Sequence, residues 1–358
     1  MREMIHKEFV LNVRKITNYY ETLVEETKNK KTVGSTNEWI LDNFYVISEQ
    51  EKIIKYELQA KDILRIKSKR KKQLYDLLYT EFKKLNFHFD FDILFYNLNS
   101  YQEEHDDYFS YAEINFLFIL FRLILINELS HLSEKLHQKL QKKHQAEKLI
   151  TQIKTMLETS DSSLTLENLM QEEDILKNPF YLEQVYMLFN SSENIPEKLN
   201  LLFNEIVKKY DKTLKDLLQQ EMDESAADNL LIMNLFVSLK KMTKTEISLF
   251  YAKISFTERV LISENAGMYV KMYENNKNNY RSKIIQNAKK HHINEYQYTL
   301  GIVEQANKSN RHLGWKLLKP KKYKERSYAY IIIVVLLTLF ASALLSYYAG
   351  VWAFLLLL

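Results

Sequence analysis

The chain has 358 residues and a formal net charge of +4, too small a surplus at this length for charge alone to imply nucleic-acid binding. Only 5 Gly and 3 Pro leave little turn chemistry for the many hairpins of an all-β fold, and the absence of Cys excludes disulfides and thiolate metal sites. Apolar residues recur at three- and four-residue spacing through most of the chain, so the expected fold class is all-α: a multi-helix cytosolic bundle followed by a C-terminal transmembrane helix.

The N-terminus, Met1 to Asn12, alternates charged with apolar residues and lacks the apolar core of a signal peptide. Ser35 and Glu38 stand at capping-box spacing after Gly34, which predicts a helix from about Thr36 through Trp39, Ile40, Phe44, Ile47, Ile54 and Leu58. Asn43 and Gln50 share a face with Ile47 and suit a buried hydrogen-bond network between helices. The run Lys61 to Lys72, with Arg65, Lys67, Lys69, Arg70 and Lys71, reads as a solvated or lipid-facing face, since no aromatic residues interleave with it for base stacking.

Ile114 to Ile126 is apolar except for Asn115 and Arg122, short for a bilayer, and is expected to be the central core helix. Asn127 to Met156 continues it as a long exposed helix. Thr159 to Ser163 and Ser191 to Pro196 are the expected loops, the first dividing an N-terminal helical subdomain, 1–158, from a second helical subdomain, 164–318. Within the latter, Leu231 to Leu239 reads as an apolar helix, followed by the tract Ile247 to Lys271, with Asn275 to Asn279 as a turn and Tyr280 to about Gly314 as a further helix.

Ser327 to Leu358 contains no charged residue, and Ile331 to Gly350 is apolar enough for insertion to be favourable by roughly 3 to 7 kcal/mol. The expected transmembrane helix is 327–350, making the lipid bilayer the first expected partner. Arg311, Lys316, Lys319, Lys321, Lys322, Lys324 and Arg326 precede it against Glu325 alone, placing this flank on the cytosolic side. Gly350 is expected to mark a turn, with 351–358 opening a second membrane helix in the front portion of a longer polypeptide.

Three clusters carry metal-ligating residue types. Asp90 and Asp92 have the Asp-x-Asp spacing used to hold a divalent ion on a nucleotide diphosphate, but they sit between aromatics at a helix start, where capping is the simpler role. Glu103, Glu104, His105, Asp106 and Asp107 would be spread around a helix axis. His291, His292 and Glu295 lack the two-His-plus-Glu pattern of a zinc protease helix. No Gly-rich phosphate loop or nucleophile elbow is present, so no catalytic, cofactor-binding or metal-ligating residue is assigned, no cofactor is expected, and nucleic acid is not an expected partner.

The segment Asn37-Glu38-Trp39-Ile40-Leu41-Asp42-Asn43-Phe44-Tyr45-Val46-Ile47-Ser48-Glu49-Gln50 resembles the amino-terminal signature of cyclic β-1,2-glucan synthases. Ser100-Tyr101-Gln102 with His105 and Tyr108-Phe109 is similar to the same region. So are Thr257-Glu258-Arg259-Val260-Leu261, Ala266-Gly267-Met268-Tyr269, Tyr280-Arg281 and His312-Leu313-Gly314-Trp315-Lys316-Leu317-Leu318. The chain departs from that pattern at Met272 to Lys277. The resemblance implies a helical cytosolic region ahead of the membrane helices of a large enzyme whose UDP-glucose-dependent transferase and glycoside-phosphorylase modules lie elsewhere. The implied function is a non-catalytic helical and membrane-anchoring head, with a transferase module of the same or a neighbouring polypeptide as its second expected partner. Two other readings stay open at this point: a self-standing membrane-anchored helical interaction protein, and a small glycosyltransferase with an unrecognised site.

Overall fold

The computed structural model describes residues 2–31, 33–57, 66–159, 214–318 and 326–356. Among these the chain is all-α, as its turn-poor composition requires, with no strand. The helices in chain order are α1 (Arg2–Lys28), α2 (Ser35–Glu57), α3 (Ser68–Lys84), α4 (Phe91–Glu104), α5 (Tyr111–Thr159), α6 (Leu214–Thr243), α7 (Ile247–Ile254), α8 (Phe256–Ile262), α9 (Glu274–His291), α10 (Glu295–Lys308), α11 (Gly314–Leu317) and α12 (Arg326–Leu356). The chain divides into two compact units, Met1–Glu258 and Arg259–Leu358.

In the first unit α5 is the spine, packed by α1, α2, α3, α6 and α7. Its first turn is fixed by a reciprocal capping box that the sequence reading missed. Glu113 N donates to Ser110 Oγ at 3.3 Å, and Ser110 N donates back to Glu113 Oε2 at 2.8 Å. Ile114 to Ile126 then buries nearly every apolar side chain, confirming it as the central core helix. The expected exposed continuation is instead half-covered: Leu129, Leu132, Leu136 and Leu140, at three- and four-residue spacing, are buried.

The centre of the core is aromatic. Phe121 packs against Phe82, Phe89 and Phe250 at ring-centre distances of 5.2, 5.1 and 4.9 Å, all edge-on, the geometry that ring quadrupoles favour. Phe89 also meets Phe91 at 4.4 Å. Between α3 and α4 the backbone of Asn86 and Phe87 is left-handed, at φ of 48° and 54°, which is costly for a bulky Phe. One face of α6 holds this turn in place: Asn234 Nδ2 donates to the Asn86 carbonyl, Ser238 Oγ to the Phe87 carbonyl and Lys241 Nζ to the Phe89 carbonyl.

This interlock explains why the compact units do not follow the expected division at 158–164. Helix α6 lies in the sequence region assigned to a second subdomain, yet its apolar face, with Ile232, Leu235, Phe236 and Leu239 buried, packs on α2 and α5. The expected loops at 159–163 and 191–196 fall, apart from Thr159 at the end of α5, outside the described residues.

In the second unit α9, α10 and α11 pack together. The expected turn at Asn275–Asn279 is the opening of α9 instead, since Glu274 sits in its first turn and pairs with Arg281 further along the helix. Helix α9 ends at His292, whose left-handed conformation (φ 56°) lets Ile293 N reach back to the Ala288 carbonyl. Helix α12 is unbroken from Arg326 to Leu356, so Gly350 is not a turn. A single glycine costs a helix only about 1 kcal/mol, too little to break one that continues for more than a turn on either side.

Candidate functional site

Ile332–Gly350 within α12 has a mean hydropathy of 2.2, and none of it is buried against the rest of the protein. At about 1.5 Å per residue its 19 residues span roughly 28 Å, close to the hydrocarbon thickness of a bilayer. By length and composition it is the one helix among the described residues able to cross a membrane. Lys319 to Glu325, which hold most of the basic flank, lie outside the described residues.

The fold employs several residues of the clusters with metal-ligating residue types. Phe89 and Phe91 turn into the aromatic core, which leaves Asp90 at the start of α4, where its Oδ1 accepts from the backbone N–H of Asp92 and Ile93. His105 Nδ1 bonds the Tyr101 carbonyl at 3.0 Å, and Asp106 takes the left-handed position after α4. Asp107 instead accepts two hydrogen bonds from Arg70, whose Nε donates to Glu113. His291 stacks on Tyr298, and His292 forms the end of α9. Among the described residues no group of three His, Cys, Asp or Glu side chains is placed to hold a metal ion.

Where the basic run is described, Lys67, Lys69 and Lys72 are exposed to solvent as expected, whereas Arg70 and Lys71 are built into the structure. Arg70 forms a two-pronged pair with Asp107, and these partners together with Glu113 push its pKa further up although burial opposes them. Lys71 is buried. The expected solvated or lipid-facing face therefore holds for neither residue, because α3 turns both toward the helices it packs on.

Polar ties between helices lie in the segments 37–50, 100–109 and 257–261. Asn37 accepts from the buried Tyr19 phenol at 2.7 Å and fastens α1 to α2. Asn43 accepts from Lys240, and Gln50 donates to Thr243 Oγ1 at 2.6 Å, joining α2 to α6 as the shared face with Ile47 predicts. Gln102, fully buried, donates to the Ile254 carbonyl at 3.1 Å and accepts from Phe109 N at 2.8 Å. Glu258 accepts from the Tyr111 phenol at 2.8 Å. Each tie satisfies a donor and an acceptor that would cost about 1–3 kcal/mol if buried alone, although the Gln50 Oε1 atom is left without a partner.

The most site-like arrangement lies in the second unit. Glu264 Oε1 receives His312 Nδ1 at 2.7 Å and also the Leu313 N–H, while His312 Nε2 meets the Tyr280 phenol at 2.9 Å. A carboxylate orienting an imidazole that bonds a hydroxyl is the layout of an acid–base relay. Tyr280 is 4% exposed, and Gly314 packs directly against its hydroxyl. Gly314 lies so close that a Cβ at that position would stand 2.3 Å from the Tyr280 phenol oxygen. Burial and the nearby Glu264 charge push the Tyr280 pKa up, away from ionisation. The arrangement serves as a latch that closes the 312–314 segment onto α9 just ahead of the membrane approach. Sequence reasoning could not find it, because Glu264, Tyr280 and His312 meet only through tertiary packing.

No protein-family model matches the chain, and no curated protein matches it.

Proposed function

We propose that the chain is a non-catalytic, membrane-anchored helical head of a cyclic β-1,2-glucan synthase-like system, holding a transferase module at the cytosolic face of the cell membrane. The observation that carries the anchoring part is the wholly exposed apolar stretch Ile332–Gly350. Support for the cytosolic orientation comes from the basic flank Arg311 to Arg326. Support for the glucan-synthase assignment comes from the resemblance of segments between Asn37 and Leu318.

Two experiments test it. The chain contains no Cys, so a single Tyr273→Cys, at a position 85% exposed, reports sidedness without background. Membrane-impermeant maleimide should label it in inverted vesicles and not in intact cells, and the reverse pattern would place the body outside. Purified full-length protein with UDP-glucose and a divalent ion should transfer no glucose, whereas membranes lacking the chain should make less β-glucan from UDP-glucose than membranes containing it. Saturable transfer by the purified chain would make it a small glycosyltransferase. Unchanged glucan synthesis would leave a self-standing anchored scaffold.

A further inference from the structure

A cavity of about 360 Å³ opens in the first unit between α1, α3 and α5. Its walls are mostly carbon: Phe9 from α1, Tyr75 from α3, and Phe116, Leu120 and Leu123 from α5. Asn12 and Asn127 also line it, but Asn12 Nδ2 donates to Asn127 Oδ1 at 2.9 Å, so they answer each other across the helices. Glu8, Lys72 and Asp76 belong to the lining too, and all three are exposed to solvent.

One member of the lining has no such answer. Lys71 is only 7% exposed, and its ammonium lies 5.8 Å from the centre of the Phe116 ring. No carboxylate among the described residues stands within ion-pair distance of it, whereas its neighbour Arg70 is paired with both Asp107 and Glu113. The Lys71 side chain is buried along most of its length, and an ammonium facing an aromatic ring recovers only part of the hydration it has given up. Burial accordingly pulls the Lys71 pKa down. An anion delivered into the cavity would supply the missing counter-charge and reverse that shift.

Size narrows what could deliver it. A cavity of about 150 Å³ accommodates benzene. At the same density, about 360 Å³ holds roughly fourteen non-hydrogen atoms, and the walls ask for hydrocarbon. We propose that the cavity between α1, α3 and α5 binds a medium-chain carboxylate amphiphile of about dodecanoate size. Its carboxylate rests on the Lys71 ammonium, and its chain lies among Phe9, Tyr75, Phe116, Leu120 and Leu123. The site belongs to the first unit alone and stands whether or not the glucan-synthase reading does.

The test uses the full chain in lipid nanodiscs with a dodecanoate that carries a diazirine at its methyl end, followed by mass-spectrometric mapping of the photolabel. Label should appear on α1, α3 and α5, and unlabelled dodecanoate should displace it at least tenfold better than dodecanol. Lys71→Met, isosteric and free of charge, should reduce labelling at least tenfold, while Lys71→Arg should retain most of it. Leu120→Trp, which fills the cavity, should abolish it. The Lys71 pKa, followed by NMR of the amine, should rise when dodecanoate is added. Label confined to α12, equal competition by dodecanol, or full labelling of Lys71→Met would each overturn the proposal. Should Lys71→Met fail to fold, the competition ratio and Lys71→Arg decide the matter.

Discussion

Two apolar runs in this protein meet opposite fates. Ile114 to Ile126 in α5 disappears into the core, whereas Ile332–Gly350 in α12 is left entirely exposed by the rest of the protein. Both are rich in Leu and Ile, so hydrophobicity alone does not separate them. Length does in part, since the first run is too short to cross a bilayer comfortably. The deeper difference is Arg122. In α5 this side chain is 3% exposed, pairs with Glu57 at 2.9 Å, donates to the Met242 carbonyl and lies 4.2 Å over the Phe118 ring. A charge inside an apolar run is tolerable where other helices bring partners to it, and α12 contains no charge after Arg326.

The contrast can be broken most completely at α12. Deleting 327–358 should move the protein from the membrane fraction to the soluble fraction altogether, as read by ultracentrifugation; retention on membranes would mean that another surface contacts lipid. Next in size is Arg122→Ala, which strands the Glu57 carboxylate. It should destabilise the first unit by about 3–5 kcal/mol in urea denaturation, and adding Glu57→Gln should recover part of that. The complementary change, Leu339→Arg, places a charge where no helix answers it. It should cost about 3–4 kcal/mol of insertion free energy in a translocon assay, and an unaffected inserted fraction would count against α12 as a span.

A smaller effect separates two Ser-x-x-Glu signatures. Ser110→Ala should cost about 0.5–2 kcal/mol, because Ser110 and Glu113 close a box at the start of α5. Ser35→Ala should cost little. Ser35 is already the first residue of α2, and the Gly34 carbonyl, with Gly34 at φ 77°, receives the N–H groups of Asn37 and Glu38. Equal losses in the two thermal melts would show that the distinction is false.

That pair also marks how far the fold could be read in advance. The helical class, the core role of Ile114 to Ile126 and the candidate span follow from composition and period, which are local properties. The box at Ser110 is equally local and stands directly before the apolar run, so its signal is present in the sequence. By contrast, the pairing of Glu264 with His312, the face of α6 that meets the 86–89 turn and the cavity around Lys71 depend on which helices become neighbours. No spacing along the chain records them. The metal-ligating clusters dissolved for a related reason: Asp90, Asp107 and His292 have structural partners or backbone positions that only the folded chain reveals.

The left-handed turn at Asn86 and Phe87 sets an order of events during synthesis. The donors that hold it lie 148 to 152 residues further along. A ribosome adding about 5–20 residues per second needs roughly 8 to 30 s to deliver them. Until then the Asn86, Phe87 and Phe89 carbonyls must stay hydrated, and the aromatic cluster beneath them has no cover from α6. Stalled nascent chains ending before α6 should therefore be cut near Phe87 by a limiting protease, and chains extended past Thr243 should resist. Ser238→Ala should weaken that resistance.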